Sequence, residues 1–171
     1  MPGYVQVYTG EGKGKTTASL GLALRAAGAG WNVFIGQFAK GMRSSELVAL
    51  ERFADRITLH QFGLPRFILG KAKEEDIGLA RRGLDEARAA VTSGAYSLVI
   101  LDEANVAVKL QLFTIDELLA VVDAKLPDVE LVITGRDADP RLVARADLVT
   151  EMRLVKHYFQ AGVVARRGIE K

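Results

Sequence analysis

The chain has 171 residues, of which 49% are hydrophobic and 26% charged, with a formal net charge of +2, two histidines and no cysteine. That balance fits one globular α/β domain with a sizeable core. It excludes a strongly basic nucleic-acid surface, disulfides, thiolate zinc sites and Fe–S clusters, and argues against a His-rich metal centre. Apolar runs are strand-length, short of the roughly 20 residues of a membrane span, and no basic–apolar–small leader opens the sequence, so the expectation is a cytoplasmic protein with neither membrane nor nucleic-acid partner.

The alternating run 4–8 predicts a first strand, and residues 18–25 read as helix. Between them lies Thr9-Gly10-Glu11-Gly12-Lys13-Gly14-Lys15-Thr16-Thr17, a glycine-rich turn from strand to helix. Glycines let backbone N–H groups approach an anion without Cβ obstruction, and the following helix aims its positive dipole end at the same place. Lys15 can reach phosphate oxygens and the Thr16 hydroxyl can face Mg²⁺. The strict pattern G-x-x-x-x-G-K-[ST] would put its first glycine at residue 9, which is threonine. Gly10, Gly12, Lys13, Gly14, Lys15, Thr16 and Thr17 are therefore the candidate phosphate-binding residues.

Gly28 to Gly30 reads as a helix stop, and residues 31–38 as a buried strand followed by the polar loop 39–45. A helix over 46–53 and a strand over 57–62 come next. Residues 63–73 keep no period and mix Phe67, Ile68 and Leu69 with Arg66, Lys71 and Lys73, as a loop does that packs under something or meets a ligand. Residues 74–91 are helical, and 96–101 form an apolar strand that delivers Asp102-Glu103. Thr114 and Glu117 have capping-box spacing at the head of a helix reaching Leu126. A strand over 129–134 leads to Gly135-Arg136. Asp139-Pro140 starts a short helix to Ala146, and 148–152 is a last strand before a basic tail without a period.

Strands alternating with helices predict a mainly parallel central sheet with helices on both faces, a P-loop NTPase-like three-layer sandwich. Ligands in such sheets bind at the carboxyl ends of the strands, where the glycine loop, residues 40–45, Asp102-Glu103 and Arg136 all fall. An apolar strand ending in two carboxylates has the form of a Walker B strand, whose acids face Mg²⁺. Glu103 is favoured for that contact, with Asp102 close behind. Arg136 could neutralise phosphate charge or be a solvated loop residue. His60, mid-strand, reads as packed, while His157 lies outside any core element. No lid rich in arginine and no N-K-x-D base-recognition motif is present, which leaves a small Mg²⁺–nucleotide enzyme with a further ligand near the Phe-containing loop.

Taken together, these residues resemble the ATP:corrinoid adenosyltransferases. The resemblance rests on 8–18 around the loop, on 33–41 with Gln37-Phe38 and Lys40-Gly41, and on Leu101-Asp102-Glu103-Ala104-Asn105. Val132-Ile133-Thr134-Gly135-Arg136 and the tail from Glu151 through Lys156-His157 and Phe159 to Gly168-Ile169-Glu170 complete it. In that family a corrinoid reduced to Co(I) attacks the ribose C5′ of ATP and triphosphate leaves, so the loop grips a leaving group. The resemblance implies ATP contacts from the loop and Arg136, and Mg²⁺ (or Mn²⁺) held by Thr16, Glu103 and Asp102. It also implies a homodimer, a reductase supplying Co(I), and a single domain over 1–171 whose tail, 153–171, packs near the site. Many members carry a Gly-Phe-Thr-Trp run facing the corrinoid. Here the region reads Phe62-Gly63-Leu64-Pro65-Arg66-Phe67-Ile68, so Phe67 or Phe62 is the candidate for that aromatic role. A phosphotransferase or NTPase with another acceptor, and a non-catalytic nucleotide-gated corrinoid-binding module, are the competing readings.

Overall fold

The computed structural model describes residues 1–170. Its strands are β1 (Val5–Thr9), β2 (Val33–Phe38), β3 (Ile57–Phe62), β4 (Leu98–Asp102), β5 (Glu130–Thr134) and β6 (Leu148–Glu151). Its helices are α1 (Lys15–Gly28), α2 (Ser45–Leu50), α3 (Glu74–Thr92), α4 (Ala104–Lys109), α5 (Ile115–Ala124) and α6 (Pro140–Arg145). The strands form one six-stranded sheet in the order β3-β2-β4-β5-β1-β6, parallel throughout. All carboxyl ends therefore open on one edge, as the alternation of elements predicts.

Both faces of the sheet are covered, which is why β2 and β4 are buried at every residue. On one face Leu20, Ala23 and Ala26 of α1 and Leu50 of α2 pack against Val33, Ile35, Ile100 and Val132. On the other, α3, α5 and α6 bring Ala80, Leu84, Ala87, Val91, Leu118, Val121 and Leu142 onto Phe34, Phe38, Val99, Leu101 and Ile133. Helix α3 sits close because Gly83 has no side chain: a Cβ there would stand 2.4 Å from the Phe62 ring. At α5, Thr114 accepts from the Glu117 N–H while the Glu117 carboxylate accepts from the Thr114 N–H, closing the capping box. Asp139 caps α6 by accepting from the Arg141 N–H.

Some boundaries differ from the sequence expectation. Strand β2 begins at Val33, because the Trp31 N–H still bonds back to Ala26 at the end of α1. Helix α2 is shorter than 46–53, its last turn tightening to a 3₁₀ segment, Glu51–Phe53. Helix α4 has no counterpart in the sequence reading. It starts directly after Glu103, whose left-handed backbone (φ 61°) turns the chain off the sheet, and it lacks a side-chain cap. In the tail, Tyr158–Ala161 forms a 3₁₀ turn.

Candidate functional site

The glycine loop joins β1 to α1 at the open edge of the sheet. Gly10 and Gly14 have φ of 94° and 123°, backbone that L side chains rarely adopt. The loop is also held from outside by the tail. The Gly12 N–H donates to the Met152 carbonyl at 2.7 Å and the Met152 N–H to Thr9 at 2.8 Å, so a Cβ on Gly10 or Gly12 would strike that backbone. Thr9 has its own use, its Oγ1 accepting from the Ala138 N–H at 3.2 Å and tying the loop to the turn after β5.

Lys15 is buried and folds into its own loop, its Nζ donating to the carbonyls of Gly10 at 2.6 Å and Gly12 at 2.8 Å. Burial lowers its pKa against the pull of Glu103. The Thr16 hydroxyl donates to Asp102 Oδ1 at 2.9 Å, while Thr17 is exposed and lines the cleft.

The two carboxylates after β4 have different surroundings. Asp102 is fully buried, and three side chains fix it: Thr16 and Thr134 (2.7 Å) on Oδ1, and Gln37 (3.1 Å) on Oδ2. Glu103 has its backbone N–H on Thr134 Oγ1 at 3.1 Å and turns its side chain into the cleft. Burial, and then the charge of Asp102, raise the Glu103 carboxyl above its usual value against the charges of Lys15, Lys40 and Arg136, and among the described residues no hydrogen bond relieves it. An ionised group so placed is stabilised by a cation. Thr16 and Glu103 offer oxygen only, the donor set of a hard divalent ion such as Mg²⁺ or Mn²⁺, so the residues fit one. Among the described residues no cluster of three or more His, Cys, Asp or Glu could hold a metal by itself. Phosphate oxygens and water would complete such a shell.

The cleft above these residues has a volume of about 1100 Å³. Its walls are the glycine loop, Leu20, Gly21 and Leu24 of α1, Lys40 and Glu46 beyond β2, Arg136 beyond β5, and tail residues including His157, Phe159 and Glu170. Each peripheral cation already has an anion. Lys13 Nζ reaches Glu170 at 2.7 Å, the Tyr158 hydroxyl at 3.0 Å and the Ile169 carbonyl at 3.2 Å. Lys40 pairs with Glu46 at 2.7 Å, and Arg136 with Glu11 at 3.1 Å. Arg166, Lys13 and Tyr158 together hold the Glu170 carboxyl far below its usual range. Arg136–Glu11 is an exposed pair and the Lys13 and Lys40 pairs are partly covered, so an anionic guest exchanges with Arg136 at the least cost.

The candidate aromatic residues separate. Phe62, expected as a possible corrinoid contact, lies at 1% exposure in the core against Phe38, because α3 covers that end of β3. Phe67 is 76% exposed on the 63–73 loop. His60, expected to be packed, is half-exposed and bonds Glu86 at 2.6 Å. The sequence reading gave no site role to Gln37 and Thr134, which bond Asp102, or to Gln61, which bonds Gln37. Their signal was a polar residue near the end of each strand.

A family model described as ATP:corrinoid adenosyltransferase BtuR/CobO/CobP matches residues 1–170. The chain belongs to the ATP:corrinoid adenosyltransferase family. Over 98% of its length this adenosyltransferase is 36% identical to a corrinoid adenosyltransferase of Pseudomonas aeruginosa, covering 83% of that protein. It is 33% identical to one from Sinorhizobium sp, covering 80%, and 31% identical to one from Escherichia coli K12, covering 85%, each over 98% of this chain. It is thus an enzyme that transfers the adenosyl group of ATP to a corrinoid in adenosylcobalamin biosynthesis. No helix among the described residues is long and apolar enough to cross a membrane.

Proposed function

We propose that the glycine loop holds the triphosphate of ATP as the leaving group of an in-line displacement at the ribose C5′. The observation carrying this reading is the meeting of Lys15, Thr16 and the unpaired Glu103 carboxylate at one cleft floor. The Co(I) of a reduced corrinoid supplies the electron pair that forms the Co–C bond. The C5′–O bond breaks, and its pair leaves on triphosphate. No protein base is needed, since no proton is removed. The chain's contribution is placement and charge.

In this assignment the N–H groups of the glycine loop other than that of Gly12, which Met152 holds, line the phosphates with Thr17 while Gly10, Gly12 and Gly14 keep the backbone open to them. Lys15 moves from its two carbonyls to phosphate oxygen, and Lys13 and Arg136 leave Glu170 and Glu11 to join it. Thr16 and Glu103 would hold Mg²⁺, with Asp102 behind the threonine hydroxyl. A divalent ion there would neutralise charge developing on the departing triphosphate. Phe67 is the ring offered to the corrinoid. The chain acts as one domain whose tail packs near the site over 153–170, residue 171 lying outside the described residues. As a working unit it is a cytoplasmic homodimer fed by a separate reductase.

Product analysis tests this reading. With Mg²⁺, ATP and chemically reduced cobalamin, the protein is expected to form a light-sensitive adenosylated corrinoid and inorganic triphosphate. ADP and phosphate as the only nucleotide-derived products would overturn it.

A further inference from the structure

Register places Gln61 beside Gln37 across β3 and β2, and Gln37 beside Asp102 across β2 and β4. The three polar side chains thus lie abreast at the carboxyl edge of a sheet whose buried residues, Thr134 apart, are otherwise apolar. Gln37 is completely buried, and a polar amide there is tolerated only when hydrogen-bonded. Gln37 turns its NH₂ to Asp102 Oδ2 at 3.1 Å, which leaves its carbonyl oxygen facing Gln61. Gln61 must then donate, and its Nε2 lies 3.0 Å from Gln37 Oε1 and 3.4 Å from the Met42 carbonyl.

Met42 belongs to the loop that carries Lys40 to the cleft. That loop meets the start of the Phe67 loop so closely that a Cβ on Gly41 would stand 2.2 Å from the Gly63 carbonyl oxygen. One uninterrupted row therefore runs from the Thr16 hydroxyl through Asp102, Gln37 and Gln61 to the place where the Lys40 and Phe67 loops touch.

We propose that Gln37 and Gln61 are positioning residues for the adenosyl transfer. They lock the rotation of the Asp102 carboxylate, so that Oδ1 takes the Thr16 proton and leaves that hydroxyl's lone pairs toward the cleft. They also tie this orientation to the loop bearing Lys40. Neither side chain touches substrate. Groups behind a metal ligand act by fixing its orientation, and their loss weakens metal binding about 10–100-fold in general. The inference rests on the assignment of Thr16 to a Mg²⁺–triphosphate.

The test is calorimetric ATP binding to the full chain, without Mg²⁺ and across a Mg²⁺ titration, for Gln37→Leu, Gln61→Met and the double variant. Each single variant is expected to keep its Mg²⁺-free ATP affinity within about twofold while needing about tenfold more Mg²⁺ for half of the ion's effect. The double variant is expected to be no worse than Gln37→Leu, because the two act in series. A lowered Tm with the parent's Mg²⁺ dependence, or losses that simply add, overturns the proposal. Should Gln37→Leu not fold, Gln61→Met on the sheet-edge strand decides alone, and an unchanged Mg²⁺ dependence overturns. A parent protein that binds Mg²⁺–ATP but forms no adenosylated corrinoid refutes the proposed function, and the row is still decided by binding.

Discussion

Replacing Lys15 with alanine separates the loop's structural role from its chemical one. The ammonium bonds two carbonyls of its own loop, at 2.6 and 2.8 Å. Hydrogen bonds to a charged group contribute roughly 1.5–3 kcal/mol each, but burying the ammonium opposes that gain, so the net loss of stability is about 2 kcal/mol or less. For a domain of this size that is a fall in Tm of about 8 °C at most. The effect on the reaction is larger. A unit charge about 4 Å from a phosphate charge, at an effective dielectric of about 20, is worth roughly 4 kcal/mol, or about three decades in rate. The assay is anaerobic formation of adenosylated corrinoid from ATP and reduced cobalamin, with Tm by calorimetry on the same preparation. The expected outcome is a folded protein with kcat/KM reduced about a thousandfold. A folded variant within about tenfold of the parent would show that Lys15 does not meet the leaving group.

Gly83→Ala is expected to destabilise the fold by about 2 kcal/mol, since overpacking against Phe62 and Phe38 outweighs the helix-propensity gain of about 1 kcal/mol. Calorimetry should show Tm lower by about 4–8 °C, and an equal or higher Tm would mean that α3 lifts away freely. Burial acts to raise the Asp76 carboxyl, but the Lys73 N–H (3.0 Å) and the Arg66 guanidinium (2.9 Å) overcome it and hold the pKa below its usual value. That stabilisation is present above the unfolded carboxyl's pKa and is lost as pH falls through the lower folded value. Asp76→Asn should therefore be less stable by about 1–3 kcal/mol at neutral pH, and the gap should close in urea titrations below about pH 4. Glu170→Gln removes the anion shared by Lys13, Tyr158 and Arg166. Trypsin is then expected to cut after Arg166 and Arg167 faster than in the parent, and an unchanged digestion rate would show that this contact does not hold the tail.

The parts of the site legible in the sequence are those written in local pattern. A strand, a glycine turn and a helix placed Lys15 and Thr16, and an apolar run ending in two acids placed Asp102 and Glu103. Capping chemistry at Thr114 and Asp139 located two helix starts. What was not legible depends on register or on distant chain. Gln37 becomes a neighbour of Asp102, and Gln61 of Gln37, only once β2, β3 and β4 are aligned, and no single-strand pattern carries that alignment. Lys13 finds Glu170 across 157 residues. Phe62 and Phe67 looked alike as aromatic residues of one segment, because alternation in a strand does not say which face a helix will cover. Helix α4 was hidden because its start is set by the left-handed turn at Glu103, a residue whose type gives no warning of it.

The position of β1 has a consequence for how the chain folds. The strand that leads into the glycine loop is interior, held between β5 and β6, both made from the far end of the sequence. Just ahead of it the Tyr4 N–H donates to the Glu130 side-chain carboxylate, 126 residues away. Strands β2, β3 and β4 can pair among themselves from 33–102, but during synthesis β1 has no partner until most of the chain exists. Val5–Thr9 therefore waits as an unpaired strand with two open edges, and its insertion is the late, non-local step that sets the folding rate. The same step brings Met152 against Gly12. The loop's clasp on Met152 can therefore form only once the far end of the chain has been made.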